Sequence, residues 1–148
     1  MKTPHIFIDK KGRWFQDGVQ ITHKWTYLEN NRNLRRARGG GFEVAEGKVS
    51  VSVEVEDTPF VIVSARLTEK GFEVVVNDET SEILTEDTDL RVNADNIPYA
   101  FIKNGEFEAR FLSPAYYAIA SVAEPLPEGG FVIESQGKKY RFLPKTAQ

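Results

Sequence analysis

Arginine beside an aromatic ring, and paired carboxylates at a strand end, are the arrangements in this chain that could do chemistry. Glu56 and Asp57 stand where an alternating stretch ends and Pro59 enforces an extended turn, a setting that holds acids rigidly at a rim. Such carboxylates accept hydrogen bonds from ribose hydroxyls or amides, or simply bond their own backbone as an Asx-type turn. Arg110 precedes the Tyr116-Tyr117 pair at a strand-to-helix junction, so a cation meets two phenols suited to stacking and phosphate pairing. Arg110 is equally a candidate ion-pair partner of Glu56 or Asp57. Arg13 and Trp14 repeat the combination near the N-terminus, the arginine for an anion and the indole for stacking.

Other chemistries find little support. The chain has no cysteine, which excludes disulfides, thiolate metal sites and thiol nucleophiles. Its only histidines, His5 and His23, lack the spacing that clamps a metal. The phrase from Gly41 to Lys48 has one residue too many between its glycines for a phosphate loop, and Val49 stands where a hydroxyl is needed, so it reads as a hairpin. Six acids crowd between Asp78 and Asp89 without a lysine or arginine; they lack a calcium-loop ladder and read as a solvated connection. Arg32, Arg35, Arg36 and Arg38 form the opposite pole, at the expected end of a helix. With 19 basic and 22 acidic residues the net charge is −3, which argues against nucleic acid and anionic membranes as partners. No apolar run is long enough to span a bilayer and no secretory leader is visible, so a cytoplasmic location is expected.

Strands must position these residues. Val49, Val51, Val53 and Val55 alternate with polar residues in the period of a half-buried strand. Phe60 to Leu67 and Phe72 to Val76 flank a Glu69-Lys70-Gly71 turn as a hairpin, its first strand central. Tyr99 to Ile102 turns at Asn104-Gly105 into Phe107, Ala109 and Phe111. Ile6 to Ile8 with Arg13 to Phe15, and Phe131 to Glu134 with Lys139 to Phe142, give two more hairpins. One helix is predicted from Thr22 to about Leu34 with Trp25 and Leu28 facing inward. The other is capped by Ser113, carries Pro114 at its first position, and runs to Glu124-Pro125 with Tyr116, Ile119, Ala120 and Ala123 as a buried stripe.

An internal repeat is also visible. Thr3 to Ile8 aligns with Ile97 to Ile102, followed in order by Gly12 with Gly105, Thr22 with Ser113, Gly40-Gly41-Phe42 with Gly129-Gly130-Phe131, and Gly47-Lys48 with Gly137-Lys138. A hairpin–helix–hairpin unit used twice, over 4–56 and 98–143 and joined by 57–97, is the expected organisation of a single compact domain over 1–148. A groove between two such units is where a ligand would sit.

The phrases Gly12 to Ile21, Val55 to Phe60, Glu108-Ala109-Arg110 and Pro114 to Tyr117 together resemble the bacterial domain-of-unknown-function family numbered 1285, over roughly residues 4–123. The resemblance implies a core built by duplication, a C-terminal half similar to pleckstrin-homology domains, no established enzymatic activity, and a role in signalling with a nucleotide-like ligand between the halves. Ser113 departs from the pattern, which favours a basic residue there.

The expectation is therefore an α+β protein, mostly antiparallel sheet with two helices. It binds a small anionic, nucleotide-like ligand without catalysis, metal or cofactor, through Arg13, Trp14, Glu56, Asp57, Arg110, Tyr116 and Tyr117. A protein-interaction module with an exposed strand edge is the first alternative and a metal-assisted hydrolase using paired carboxylates the second.

Overall fold

The computed structural model describes residues 3–145. Its elements run β1 (Ile6–Ile8), β2 (Trp14–Gln16), β3 (Val19–Gln20), α1 (Lys24–Asn33), β4 (Leu34–Arg36), β5 (Phe42–Glu46), β6 (Val49–Val55), β7 (Phe60–Thr68) and β8 (Gly71–Val76). They continue with β9 (Ser81–Leu84), β10 (Leu90–Val92), β11 (Pro98–Ile102), β12 (Phe107–Phe111), α2 (Ser113–Ala120), β13 (Ala123–Pro125), β14 (Phe131–Ser135) and β15 (Lys138–Pro144). The architecture is α+β, with two helices among the described residues. The chain divides into two compact units, Met1–Pro59 and Phe60–Gln148.

The first unit holds one sheet in the order β3-β2-β1-β6-β5-β4, in which β1 and β6 are parallel. Ile6, Ile8, Val51, Val53 and Val44 bury one face, as their alternation dictates. Trp14 pairs with Ile8 across the β1–β2 hairpin and joins this core at 2% exposure. The buried Asn31 of α1 accepts its indole N–H at 2.9 Å. That bond explains a correction: Asn31, not Trp25, shares the inward side of α1 with Leu28, and Trp25 stands 71% exposed. The helix begins at Lys24 after His23 and ends at Asn33, so Arg35 and Arg36 belong to β4 rather than to a helix end. Arg35 Nε there meets Glu43 on the neighbouring strand at 2.6 Å.

The second unit holds a sheet in the order β13-β14-β15-β10-β11-β12-β7-β8-β9. β7 lies inside it, parallel to β12 and antiparallel to β8, and its Phe60, Val61 and Ile62 are fully buried. Phe72, Phe111, Tyr140 and Phe142 form a ring cluster in which three contacts are edge-to-face at 5.3–6.2 Å, the geometry that ring quadrupoles favour, and Phe72 and Phe142 are tilted at 6.4 Å. α2 is shorter than predicted: Leu112 is its cap, it ends at Ala120, and only Ala115 and Ile119 are buried, so Tyr116 and Ala120 do not form the expected core stripe. Ala123 and Pro125 fall instead in β13. The acidic stretch from Asp78 is not a bare connection either, since β9 lies within it and Asp78 bonds Lys103 Nζ at 2.7 Å.

Part of this second sheet follows the strand order of the first unit. Its run β12-β11-β10-β15-β14-β13, with α2 between β12 and β13 and with β10 parallel to β15, is the order of β3-β2-β1-β6-β5-β4 element for element. The correspondence places β1 against β10, so the alignment of Pro4 with Pro98 is displaced by one strand. Pro98 opens β11, whose counterpart is β2, whereas Pro4 precedes β1. A proline ahead of a short apolar strand is common enough to match out of register. Gly40-Gly41 and Gly129-Gly130 each close a turn whose backbone bonds agree, Ala37 N to Gly41 O and Leu126 N to Gly130 O.

Candidate functional site

The β1–β2 hairpin presents two different faces. Ile6, Ile8 and Trp14 point into the core, which turns His5, Phe7 and Phe15 toward the other side. Phe7 and Phe15 are direct cross-strand partners, with ring centroids 6.0 Å apart and tilted by 49°. His5 lies two residues from Phe7 on the same face, its ring 6.5 Å away and within 21° of parallel. The turn joining β2 to β3 is Asp17-Gly18, both at positive φ, the Asp-Gly pair that a tight hairpin demands. Asp17 fixes the histidine from both sides: its Oδ1 accepts the His5 N–H at 2.9 Å and its own N–H donates to the His5 carbonyl at 2.8 Å. His5, Phe7, Phe15, Gly18 and Asp9 line an open surface cavity of about 250 Å³ with largely apolar walls.

A cation stands at the border of this cavity. The guanidinium of Arg13 lies 6.0 Å from the centre of the Phe15 ring, within the range of a cation–π contact. Its Nε donates to Asp9 Oδ2 at 2.6 Å, while Asp9 Oδ1 accepts the backbone N–H groups of Lys11 at 3.0 Å and Arg13 at 2.8 Å. Burial on its own would raise the Asp9 carboxyl; the hydrogen bonds from the backbone and side chain of Arg13 and from Lys11 outweigh it and hold the group below its usual value. Asp9 is thus an ionised, nearly buried acid whose second oxygen orients one guanidinium edge. The Arg13 side chain is half exposed, and among the described contacts its terminal nitrogens are not engaged. A guanidinium held in this way offers its remaining fork to a carboxylate or phosphate with little further ordering.

The residues singled out by sequence fall into two groups. Arg13, Trp14, Glu56 and Asp57 belong to the first unit, and Arg110, Tyr116 and Tyr117 to the second. Trp14 is a core side chain, which corrects the expectation that it stacks on a ligand. Glu56 Oε1 accepts the Lys10 N–H at 2.9 Å, so it ties the end of β6 to the β1–β2 turn that presents Arg13. Asp57 follows in a half-buried bend. Arg110 sits mid-strand on β12 between Tyr99 and Val61 of the adjoining strands. Tyr116 and Tyr117 contact edge to face at 5.7 Å on α2, with Tyr117 71% exposed. The structure brings Arg13 and Glu56 to one turn. It adds His5, Phe7, Asp9 and Phe15, which spacing alone did not single out; the available signal was Phe7, an aromatic on the outward phase of a strand whose inward phase is already filled by isoleucine. Among the described residues no three His, Asp or Glu side chains cluster as a metal would require.

No family model and no curated protein matches the chain. Two solved structures do. A DUF1285 family protein from Silicibacter pomeroyi superposes with a TM-score of 0.75 at 20% identity, covering 93% of this chain and 78% of that one. A second DUF1285 family protein, from Shewanella baltica, superposes with a TM-score of 0.60 at 20% identity over 80% of this chain and 91% of that one. This chain has the fold of DUF1285 family proteins. At such identity the likeness establishes the fold and leaves the ligand to the chain's own residues. No described helix is long and apolar enough to cross a membrane.

Proposed function

We propose that this chain is a non-catalytic ligand-binding module of the DUF1285 family, and that its ligand is a small planar anion held on the outer face of the β1–β2 hairpin. The ring of the ligand lies against Phe7 and Phe15, and its acidic group meets the free fork of Arg13. One observation carries this reading: Asp9 spends its charge on orienting Arg13 beside an aromatic cavity of about 250 Å³, which has room for a single ring system. A nucleotide-like molecule, with a flat base and a phosphate, meets both demands. A regulatory role in the cytoplasm is the setting we assign to it.

Supporting the family assignment are the fold likeness and the phrases around Arg13, Glu56, Arg110 and Tyr116. We further propose that the two six-strand arrangements descend from one duplicated unit, in the register that sets β1 against β10. Two turns support it beyond strand order. Asp9 N bonds Arg13 O and Gly12 N bonds Asp9 O; Asn93 N bonds Ile97 O and Asn96 N bonds Asn93 O, with Gly12 and Asn96 both at positive φ.

The test is a thermal-shift titration with AMP, adenosine and inorganic phosphate. AMP raises Tm by about 2–4 degrees at saturating concentration, because a ligand that binds only the native state stabilises it. Adenosine and phosphate alone do less, and Arg13→Gln removes the AMP response. A flat response to all three overturns the reading, as does an AMP response that survives Arg13→Gln.

A further inference from the structure

The two sheets end in four outer strands, and three of them are blunted in ways that prevent strand pairing. β3 has two residues, β4 has three of which two are arginines, and β13 has three and ends in Pro125. β9 differs. It is four residues long, Ser-Glu-Ile-Leu, with no lysine, arginine or proline, and among the described residues it pairs only with β8. Alternate N–H and C=O groups on its outer side are therefore left without a strand partner. Ile83 on this strand is 42% exposed.

A cleft of about 560 Å³ borders that edge. Consecutive residues Glu82, Ile83, Leu84 and Thr85 all line it. Residues from both faces of the strand, Glu82 and Leu84 on one and Ile83 on the other, border it, which sets the cleft beside β9. Asp87, Asp89 and Phe101 also line it, and no lysine or arginine does. Asp89 is shared with Arg91 at 2.6 Å and Glu82 accepts the Lys103 N–H at 2.8 Å, whereas Asp87 has no described side-chain partner. The wall is fixed in place: Thr88 and Thr85 hydroxyls accept the N–H groups of Thr85 and Asp87, and Glu86 accepts the Lys139 N–H.

We propose that this edge takes up an extended, basic segment of a partner protein, which adds a strand to β9 and places its lysine or arginine side chains against Glu82, Asp87 and Asp89. In an extended chain every second side chain faces the same way, about 6.6 Å apart. A segment alternating basic and apolar residues thus sets its charges on the acidic wall, with backbone bonds supplying affinity and the wall supplying selectivity. A second copy of β9 is a poor occupant, because it would bring Glu82 against the same acids.

The experiment is fluorescence anisotropy of the full chain with a labelled hexapeptide alternating lysine and valine. Three comparisons accompany it: glutamate in place of lysine, N-methylation of the valine amides, and the Asp87→Lys variant, whose change lies on an exposed turn. The lysine peptide binds. The glutamate peptide, the N-methylated peptide and Asp87→Lys each weaken binding by about tenfold or more, while Asp87→Lys leaves Tm unchanged. Absence of binding at millimolar peptide overturns the proposal. Equal binding of the N-methylated peptide overturns strand addition, and unchanged affinity in Asp87→Lys overturns the site. Arg13 variants do not alter this binding, which separates its failure from that of the ligand cavity.

Discussion

The turn from Asp9 to Arg13 and the turn from Asn93 to Ile97 share their backbone hydrogen bonds and differ in charge. In each, one side-chain oxygen accepts the N–H groups two and four residues on: Asp9 those of Lys11 and Arg13, Asn93 those of Asp95 and Ile97. An amide oxygen therefore suffices to build the turn. The turn itself does not require the negative charge at Asp9, whose second oxygen goes to Arg13. In the other turn Asn93 Nδ2 donates to Tyr99 Oη at 3.2 Å, a packing bond inside the unit. One turn presents a cation at a cavity and the other closes a core. The same scaffold carries different work according to whether its acceptor is an acid or an amide.

The largest effect that would break this comparison lies in the glycine turns. Gly41 and Gly130 have φ of +73° and +77°, yet a Cβ at Gly41 meets open space while one at Gly130 collides with the Phe142 carbonyl. Gly130→Ala should destabilise by about 3 kcal/mol or more and Gly41→Ala by about 1, the left-handed backbone cost alone. Denaturant unfolding of both variants reads the difference; equal losses would refute the packing distinction.

Next comes the acid itself. Asp9→Ala leaves two backbone donors and one guanidinium edge unpartnered and should cost about 2–3 kcal/mol. Asp9→Asn, which imitates the second turn, should cost only about 1. The pH dependence separates them further. Because the folded-state carboxyl lies below its ordinary value of 3.8, its stabilisation is complete above that value and is lost as pH falls through the lower, folded-state one. Asp9→Asn should therefore flatten the acid limb of a stability–pH curve, and an unchanged limb would show that the charge does not contribute. The smallest effect is the converse change. Asn93→Asp keeps the acceptor oxygen that builds the turn and should alter stability by about 0.5 kcal/mol or less at neutral pH.

Strand content was legible because alternation is a local signal: Val49 to Val55, Phe60 to Leu67 and the Asn104-Gly105 hairpin all stand where the pattern put them. The short strands β3, β4, β9, β10 and β13 were not: two to four residues carry little periodicity, and these lack the apolar and aromatic run that marked the equally short β1 and β2. Trp25 was misread for a different reason. Helical spacing marked it as core, but Asn31 takes the inward place to accept the buried indole of Trp14, a long-range bond that no window of sequence displays. Arg13 was singled out from its neighbourhood of aromatic residues, and the structure sets it beside the Phe15 ring. Its partner Asp9 and the cavity wall of His5 and Phe7 were missed because they become neighbours of Phe15 only when β1 pairs with β2.

The central claim is that Arg13, oriented by Asp9, binds an anion whose ring rests on Phe7 and Phe15. An NMR titration of the isotope-labelled chain with AMP tests it most directly. The account predicts saturable shifts of the His5, Phe7, Phe15 and Gly18 amides and of the Arg13 guanidinium, lost in Arg13→Gln and retained in Arg110→Ala. Shifts confined to residues of the second unit, or none at all, would contradict it.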